Sequence, residues 1–315
     1  QNMRKTAFLF PGQGAQNVGM GRSFYEKYDA VRQYFKTAQE VTGIDVASLC
    51  FEENEALNQT EYTQIAMYTT ECAILNVLQE KGIPYEAAAG LSLGEYAALT
   101  AAGALSFKDG CYVIRRRGIY MEQAVPEGQG SMAAVLGLSA KQTEEGLKTS
   151  LDTAKIGIAN YNCPGQIVIS GEKGEVERAA EVLKQAGAKR VVPLRVSGPF
   201  HSPLLNTAGE KLAEVLAPCK LSGLKIPYIS NTLAEPVTDK TKIKDLLTRQ
   251  ISSPVRWRES MEELIREGVG TFIEIGPGKT LSGFLKKIDR NAVVYSIQTM
   301  EDLEKTVELL KGRNL

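Results

Sequence analysis

Ala87-Ala88-Ala89-Gly90-Leu91-Ser92-Leu93-Gly94-Glu95-Tyr96-Ala97-Ala98-Leu99 joins three signals in direct succession. A short apolar run over 87–91 reads as a buried strand, Gly90 to Gly94 has the Gly-x-Ser-x-Gly form, and Glu95 onward starts a helix well. That combination exposes a serine on a sharp strand-to-helix turn, where backbone N–H groups and the helix dipole stabilise negative charge. The competing interpretation is a small-residue turn with Ser92 as a helix cap. The strand before and the helix after favour the nucleophile.

Working outward, 6–10 is a second short apolar strand, ended by Pro11-Gly12. Helical periodicity dominates from about 21 to 82, with a long helix over 63–81, and further helices are expected over 94–102 and 108–125. Short buried strands separated by helices specify an α/β fold with a parallel sheet. The rhythm then changes: strand 131–137, helix 140–149, strands 154–160 and 166–170, helix 172–185 and strand 189–194. This β-α-β-β-α-β order is the ferredoxin-like pattern. Pro126-Glu127-Gly128-Gln129-Gly130 precedes it as a linker. A small domain over 127–198, inserted into a larger α/β domain formed by 1–126 and 199–315, accounts for both transitions. Beyond it come a helix over 202–216, a strand over 227–230, helices to about 267, a strand over 271–275, and a final helix, strand and helix.

The bulk properties narrow the function. In 315 residues, Lys plus Arg and Asp plus Glu both total 37, so no global field favours nucleic acid. No apolar run approaches the length of a membrane span, and the first five residues lack a signal-peptide core. Cys50, Cys72, Cys111, Cys163 and Cys219 are odd in number and widely spaced, which suggests neither a disulfide framework nor a zinc site. A single histidine argues against a histidine-based metal centre. A reduced, cytoplasmic protein is expected.

That histidine, His201, lies in Gly198-Pro199-Phe200-His201-Ser202-Pro203, bracketed by prolines near the proposed domain junction, where clefts form. A serine hydroxyl needs a base, and imidazole titrates in the right range. An isolated histidine is usually structural, but together with Ser92 the pattern favours catalysis. Pro11-Gly12-Gln13-Gly14-Ala15-Gln16 is not a dinucleotide fingerprint, because Asn17 stands where the third glycine is required. Its turn either offers backbone N–H groups to an oxyanion or binds nothing. Gly276-Pro277-Gly278-Lys279-Thr280 mimics the end of a phosphate loop, but Ile273 occupies the first glycine position, so ATP binding is rejected. In Arg115-Arg116-Arg117 the helical apolar face runs through Cys111, Ile114, Gly118, Met121 and Val125. Arg116 points away from it, and Arg115 and Arg117 flank it. Either flanking guanidinium could reach a cleft and hold a carboxylate, and periodicity does not choose between them.

Taken in order, Phe10 to Gln16, Gly90 to Glu95, Arg117-Gly118, Asn160 to Gln166, Gly198 to Ser202, Arg249-Gln250 and Glu274 to Gly278 resemble the malonyl-CoA:acyl-carrier-protein transacylase family of fatty acid synthesis. The related polyketide acyltransferase domains share the pattern. The resemblance spans nearly the whole chain and implies an α/β-hydrolase-like large domain. It implies that Ser92 is acylated by malonyl-CoA and that His201 acts as base and then as acid. It implies that the N–H groups of Gln13 and Leu93 form the oxyanion hole. It assigns Arg117 to the malonyl carboxylate and the Gln250 carbonyl to orienting the imidazole. Asn162 and Gln166 are assigned to the substrate pocket, and Phe200 to a malonyl-selective wall. The implied partners are acyl carrier protein and a coenzyme A thioester, with no nucleic acid or membrane. No resident cofactor is implied, since the phosphopantetheine belongs to the carrier, and a monomer is expected. One position departs: the family usually has histidine directly before the nucleophile, where this chain has Leu91.

Two other readings compete. An α/β-hydrolase-like esterase or thioesterase shares the elbow but orders its triad as serine, acid, then a late histidine. A non-catalytic carrier-binding scaffold would not need Ser92, Arg117 and His201 together. Lys189, Arg190, Lys286 and Lys287 are candidates for acidic carrier or coenzyme A phosphates, or simply solvated surface cations.

Overall fold

The strand that feeds the serine turn sits near the middle of a six-stranded sheet. The computed structural model describes residues 4–196 and 198–313; the first three residues, Ser197, Asn314 and Leu315 lie outside the described residues. From the N-terminus the chain forms β1 (Lys5–Phe10), four helices and β2 (Ala87–Gly90). The helices are α1 (Arg22–Lys27), α2 (Asp29–Thr42), α3 (Val46–Phe51) and α4 (Thr60–Glu80). Then come α5 (Gly94–Ala101) and α6 (Phe107–Gln123). The middle of the chain gives β3 (Gly130–Leu136), α7 (Ala140–Ser150), β4 (Ile156–Cys163), β5 (Gln166–Glu172), α8 (Lys173–Gln185) and β6 (Arg190–Pro193). The last third gives α9 (Asn206–Leu216), β7 (Tyr228–Ile229), β8 (Pro236–Val237), α10 (Ile243–Gln250) and α11 (Trp257–Arg266). It ends with β9 (Val269–Ile275), α12 (Thr280–Ile288), β10 (Val293–Ile297) and α13 (Met300–Arg313).

The large sheet has the order β10-β9-β1-β2-β7-β8 and is parallel apart from the short antiparallel β8. β1 and β2 are buried along almost their whole length, as expected of central strands covered by helices on both faces. α4 is buried on nearly every side, which explains why its sequence lacks an apolar stripe. The second sheet is antiparallel with the order β4-β5-β3-β6, the ferredoxin-like arrangement. Strand alternation divides its side chains. Ala133, Val135, Ile167 and Ile169 face a separate core under α7 and α8, whereas Met132 and Val168 join the main core. The second sheet is tied to the segment between α10 and α11, where Val255 donates its N–H to the Ala159 carbonyl at 2.7 Å and accepts from the Tyr161 N–H at 2.9 Å.

Several elements differ from the sequence expectation. α6 stops at Gln123 rather than at 125, because the residue before Pro126 is pushed out of helical geometry. The helix expected over 202–216 is divided: Pro203–Leu205 is a single 3₁₀ turn, and α9 starts at Asn206. β4 runs on to Cys163 because it pairs beyond 160 with both β5 and Val255. β8 is too short to leave a sequence signal.

Candidate active site

The Gly90–Glu95 turn is forced by contact. A Cβ on Gly90 would lie 1.8 Å from the Gly94 carbonyl oxygen, and one on Gly94 would lie 2.2 Å from that of Phe10. Ser92 sits between them at φ 57°, a left-handed conformation that costs a non-glycine residue about 1–3 kcal/mol. The turn lifts its hydroxyl out of the sheet while α5 begins at Gly94. His201 is also left-handed, at φ 59°. Its loop is pinned by its own N–H to the Ile251 carbonyl at 3.1 Å and by the Ser202 hydroxyl to the Pro199 carbonyl at 2.6 Å.

The two residues meet: Ser92 Oγ and His201 Nε2 are 2.8 Å apart, across 109 residues of chain. His201 Nδ1 is 2.9 Å from the Gln250 carbonyl. A carbonyl can only accept, so Nδ1 carries the proton and Nε2 is left to accept from the serine. Burial, and then the nearby positive charge of Arg117, lower the imidazole to about 4, so it is neutral at pH 7. A neutral imidazole hydrogen-bonded to a hydroxyl is a base in waiting.

Arg117 lies fully buried on α6 behind the serine. It donates from Nη1 to Gln64 Oε1 at 2.8 Å, and from Nη2 to Gln250 Oε1 at 2.9 Å and Ser92 Oγ at 3.2 Å. Its guanidinium also lies over the Tyr96 ring at 5.5 Å. Among the described residues it makes no ion pair, and its Nε has no partner. The nearby carboxyl of Glu95 is raised by burial to about 8, so at neutral pH it is mostly protonated and supplies little counter-charge. Arg115, which periodicity left equivalent, faces elsewhere: it pairs with Glu61 at 3.7 Å and lies over Tyr62. Among the described residues, the space beside Ser92 is thus electropositive, with no carboxylate paired to the guanidinium.

A cleft of about 270 Å³ opens onto Ser92 and His201. Gln13 and Leu93 line it, and among the described residues neither backbone N–H has an intramolecular acceptor. Gln13 is held by its side-chain donor to Thr60 Oγ1 at 3.0 Å. Phe200, Met132, Val168, Leu194 and Val196 line the cleft with apolar surface, and Leu91 does so beside Leu281 and Phe284. Asn162 also lines it, with a buried Oδ1 that has no partner among the described residues. Gln166 does not: it stands at the β4–β5 turn, outside the lining residues. Lys189, Arg190, Lys286 and Lys287 are not part of the lining either. The loop resembling a phosphate site has its helix start already occupied, since Glu274 accepts from the N–H groups of Leu281 and Ser282.

Two residues of the site, and a second role of Gln250, have no sequence signal. Gln64 holds Arg117, Asn231 bonds both sides of the elbow, and the Gln250 side chain donates to the Ser92 carbonyl at 2.8 Å. Gln64 had no local signal on its helix. Asn231 followed a strand end and could have been noticed only as a polar residue in a buried position. Among the described residues no cluster of His, Cys, Asp or Glu is placed to hold a metal, all five cysteines are free, and no helix is long and apolar enough to cross a membrane.

A family model described as an acyl transferase domain matches residues 7–302. The malonyl CoA-acyl carrier protein transacylase of Bacillus subtilis (strain 168) is 48% identical over 314 residues, covering 99% of each chain. The crystal structure of the malonyl CoA-acyl carrier protein transacylase from Clostridium perfringens superposes with a TM-score of 0.95 at 44% identity, covering 98% of both chains. A malonyl-transacylase solved in complex with its type II polyketide acyl-carrier protein gives 0.94 at 38% identity, over 96% of this chain and 99% of that one. With this fold, and matches across almost its full length, the chain belongs to the acyl transferase family, among the malonyl CoA-acyl carrier protein transacylases.

Proposed function

We propose that the protein transfers a malonyl group from malonyl-CoA to the phosphopantetheine thiol of an acyl carrier protein, by a ping-pong mechanism through a malonyl-Ser92 ester. The observation that carries this reading is Arg117, a buried guanidinium with no ion-pair partner among the described residues, 3.2 Å from the Ser92 hydroxyl. It is positioned for a substrate whose acyl group ends in a carboxylate.

In the first half-reaction His201 Nε2 takes the hydroxyl proton as Ser92 Oγ attacks the thioester carbonyl. Negative charge gathers on the carbonyl oxygen, where the N–H groups of Gln13 and Leu93 would receive it; one such donor is typically worth about 3–4 kcal/mol. Collapse breaks the C–S bond, and the imidazolium returns its proton to the departing coenzyme A sulfur. In the second half the carrier thiol gives its proton to His201, its sulfur attacks the ester, and Ser92 leaves with that proton. The Gln250 carbonyl keeps the imidazole in the required tautomer throughout, in place of a triad carboxylate. The apolar walls around Phe200, Val168 and Leu194 disfavour water as the competing acceptor. Phe200 would also crowd an α-methyl branch, and Asn162 would meet polar groups of the incoming arm.

The free, scattered cysteines support a reduced, cytoplasmic setting, and we take the protein to act as a monomer. We likewise take 127–198 as the inserted domain and the remainder as the catalytic one. Intact-protein mass spectrometry after mixing with malonyl-CoA tests the reading. A malonyl adduct on Ser92 that holo-carrier discharges is expected; hydrolysis without transfer would mark an esterase, and no adduct would mark a scaffold.

A further inference from the structure

Asn231 is fully buried just past the end of β7, outside the residues that line the cleft, and every polar group it owns is used. Its backbone N–H donates to Glu95 Oε1 at 2.6 Å, and its carbonyl accepts from the Arg256 N–H at 2.9 Å. Its side-chain Nδ2 donates to the Gly90 carbonyl at 2.7 Å. Its Oδ1 accepts from the Ser92 N–H at 2.8 Å and from Gln250 Nε2 at 3.3 Å. β7 pairs with β2 at Ala88 and Ala89 and then stops. Two residues further, the asparagine amide supplies the donor and acceptor that a continuing strand would have offered, just where β2 breaks into the elbow.

We infer that Asn231, seated by Glu95, is a positioning residue for transfer: its amide holds the Gly90–Ser92 turn in the strained conformation from which the hydroxyl reaches His201. Strain of this kind persists only where the surroundings over-determine it. Here one amide fixes the Ser92 N–H while the Gln250 side chain fixes the Ser92 carbonyl, and the two amides are bonded to each other. Gln250 also bonds Arg117 and orients His201, so the same network sets nucleophile, base and carboxylate site in one frame. The Leu93 N–H follows Ser92 directly, so the oxyanion donor moves with the turn.

This inference rests on Ser92 being the acyl acceptor, and the test separates the two. Full-length wild type, Asn231→Ala and the isosteric Asn231→Asp are mixed with malonyl-CoA, and formation of the Ser92 adduct is followed by rapid-quench intact mass. Asn231→Ala is expected to lower the first-turnover rate constant about 10²-fold, in line with the cost of small misplacements of a reacting group. The adduct still reaches one per chain. Asn231→Asp keeps an acceptor for the Ser92 N–H but loses the donor to Gly90, and falls by less; it carries the test if the alanine variant does not fold. Affinity for malonyl-CoA, measured with Ser92→Ala as background, is expected to be unchanged by the further Asn231→Asp substitution. Labelling of Ser92 by an uncharged fluorophosphonate slows in parallel, whatever acyl group the enzyme prefers. A reduced adduct amplitude at an unchanged rate constant would make Asn231 merely structural and overturn the inference, as would unchanged rates in both variants. If wild type labels with fluorophosphonate but takes no malonyl group, the functional reading fails, and the dependence of labelling on Asn231 still decides this one.

Discussion

The two walls of the cleft are built on different principles. The wall from the large parallel sheet carries Ser92, His201 and Leu93, with Arg117, Gln250 and Asn231 packed behind it, cross-bonded by 2.7–3.3 Å contacts to groups far apart in sequence. The facing wall, from the antiparallel sheet and the chain that follows β6, presents Met132, Val168, Leu194 and Val196, with Asn160 and Asn162 as its polar groups. One wall is cross-braced around strained backbone and a buried charge. The other is mostly a surface for fit. Chemistry and selection by shape are therefore separable by mutation.

The largest effect is expected on the first wall. His201→Ala removes the base and should lower transfer about 10²–10⁴-fold, with thermal unfolding showing that the fold persists. The pH profile sharpens the same point. Burial and Arg117 hold the free enzyme's imidazole at about 4, so kcat/KM should persist below the ordinary histidine range and fall only as pH drops through about 4. Stability follows with the same sign: between about 4 and the ordinary value near 6.5 the unfolded chain binds a proton that the folded chain excludes. The melting temperature should therefore decline from pH 6.5 downward, more steeply in wild type than in His201→Gln. A profile with its acid limb near 6.5 would show an imidazole far less buried.

At the junction of the walls, Phe200→Ala should raise use of an α-methyl-branched malonyl thioester relative to malonyl by about 10-fold or more, the scale on which one carbon is discriminated in an apolar pocket. Paired kcat/KM values measure it, and an unchanged ratio would remove Phe200 from selection. The smallest effect belongs to the second wall. Asn162→Ala should weaken KM for the thioester by a few-fold, at about the worth of a single hydrogen bond, and leave adduct formation at saturating substrate intact. A fall in the single-turnover rate instead would place Asn162 with the chemistry.

The same contrast explains what could be read from the sequence. The elbow is local: two glycines, a serine and the alternation from strand to helix lie within ten residues, so Ser92 was legible. His201 was legible by elimination, because the chain has no other imidazole. Arg117 was legible only as one of two, since helical periodicity places Arg115 symmetrically about the apolar face. The choice is made by Glu61 and Tyr62, which engage Arg115 from α4. Asn231 and Gln64 were illegible, because their partners lie 139 and 53 residues away and neither belongs to a motif. Strand and helix types were read correctly where burial enforces them, and boundaries slipped where a single proline or an extra backbone pair decided them, as at Pro126, Pro203 and Val255.

The most direct test is the occupancy of Ser92 after exposure to equal malonyl-CoA and acetyl-CoA, read by intact mass in wild type and Arg117→Ala. Wild type should carry malonyl almost alone. Arg117→Ala should lose that preference, while Ser92 still reacts with acetyl-CoA and with fluorophosphonate. An unchanged malonyl preference in Arg117→Ala, or an acetyl preference in wild type, would contradict the assignment of the buried guanidinium to the substrate carboxylate.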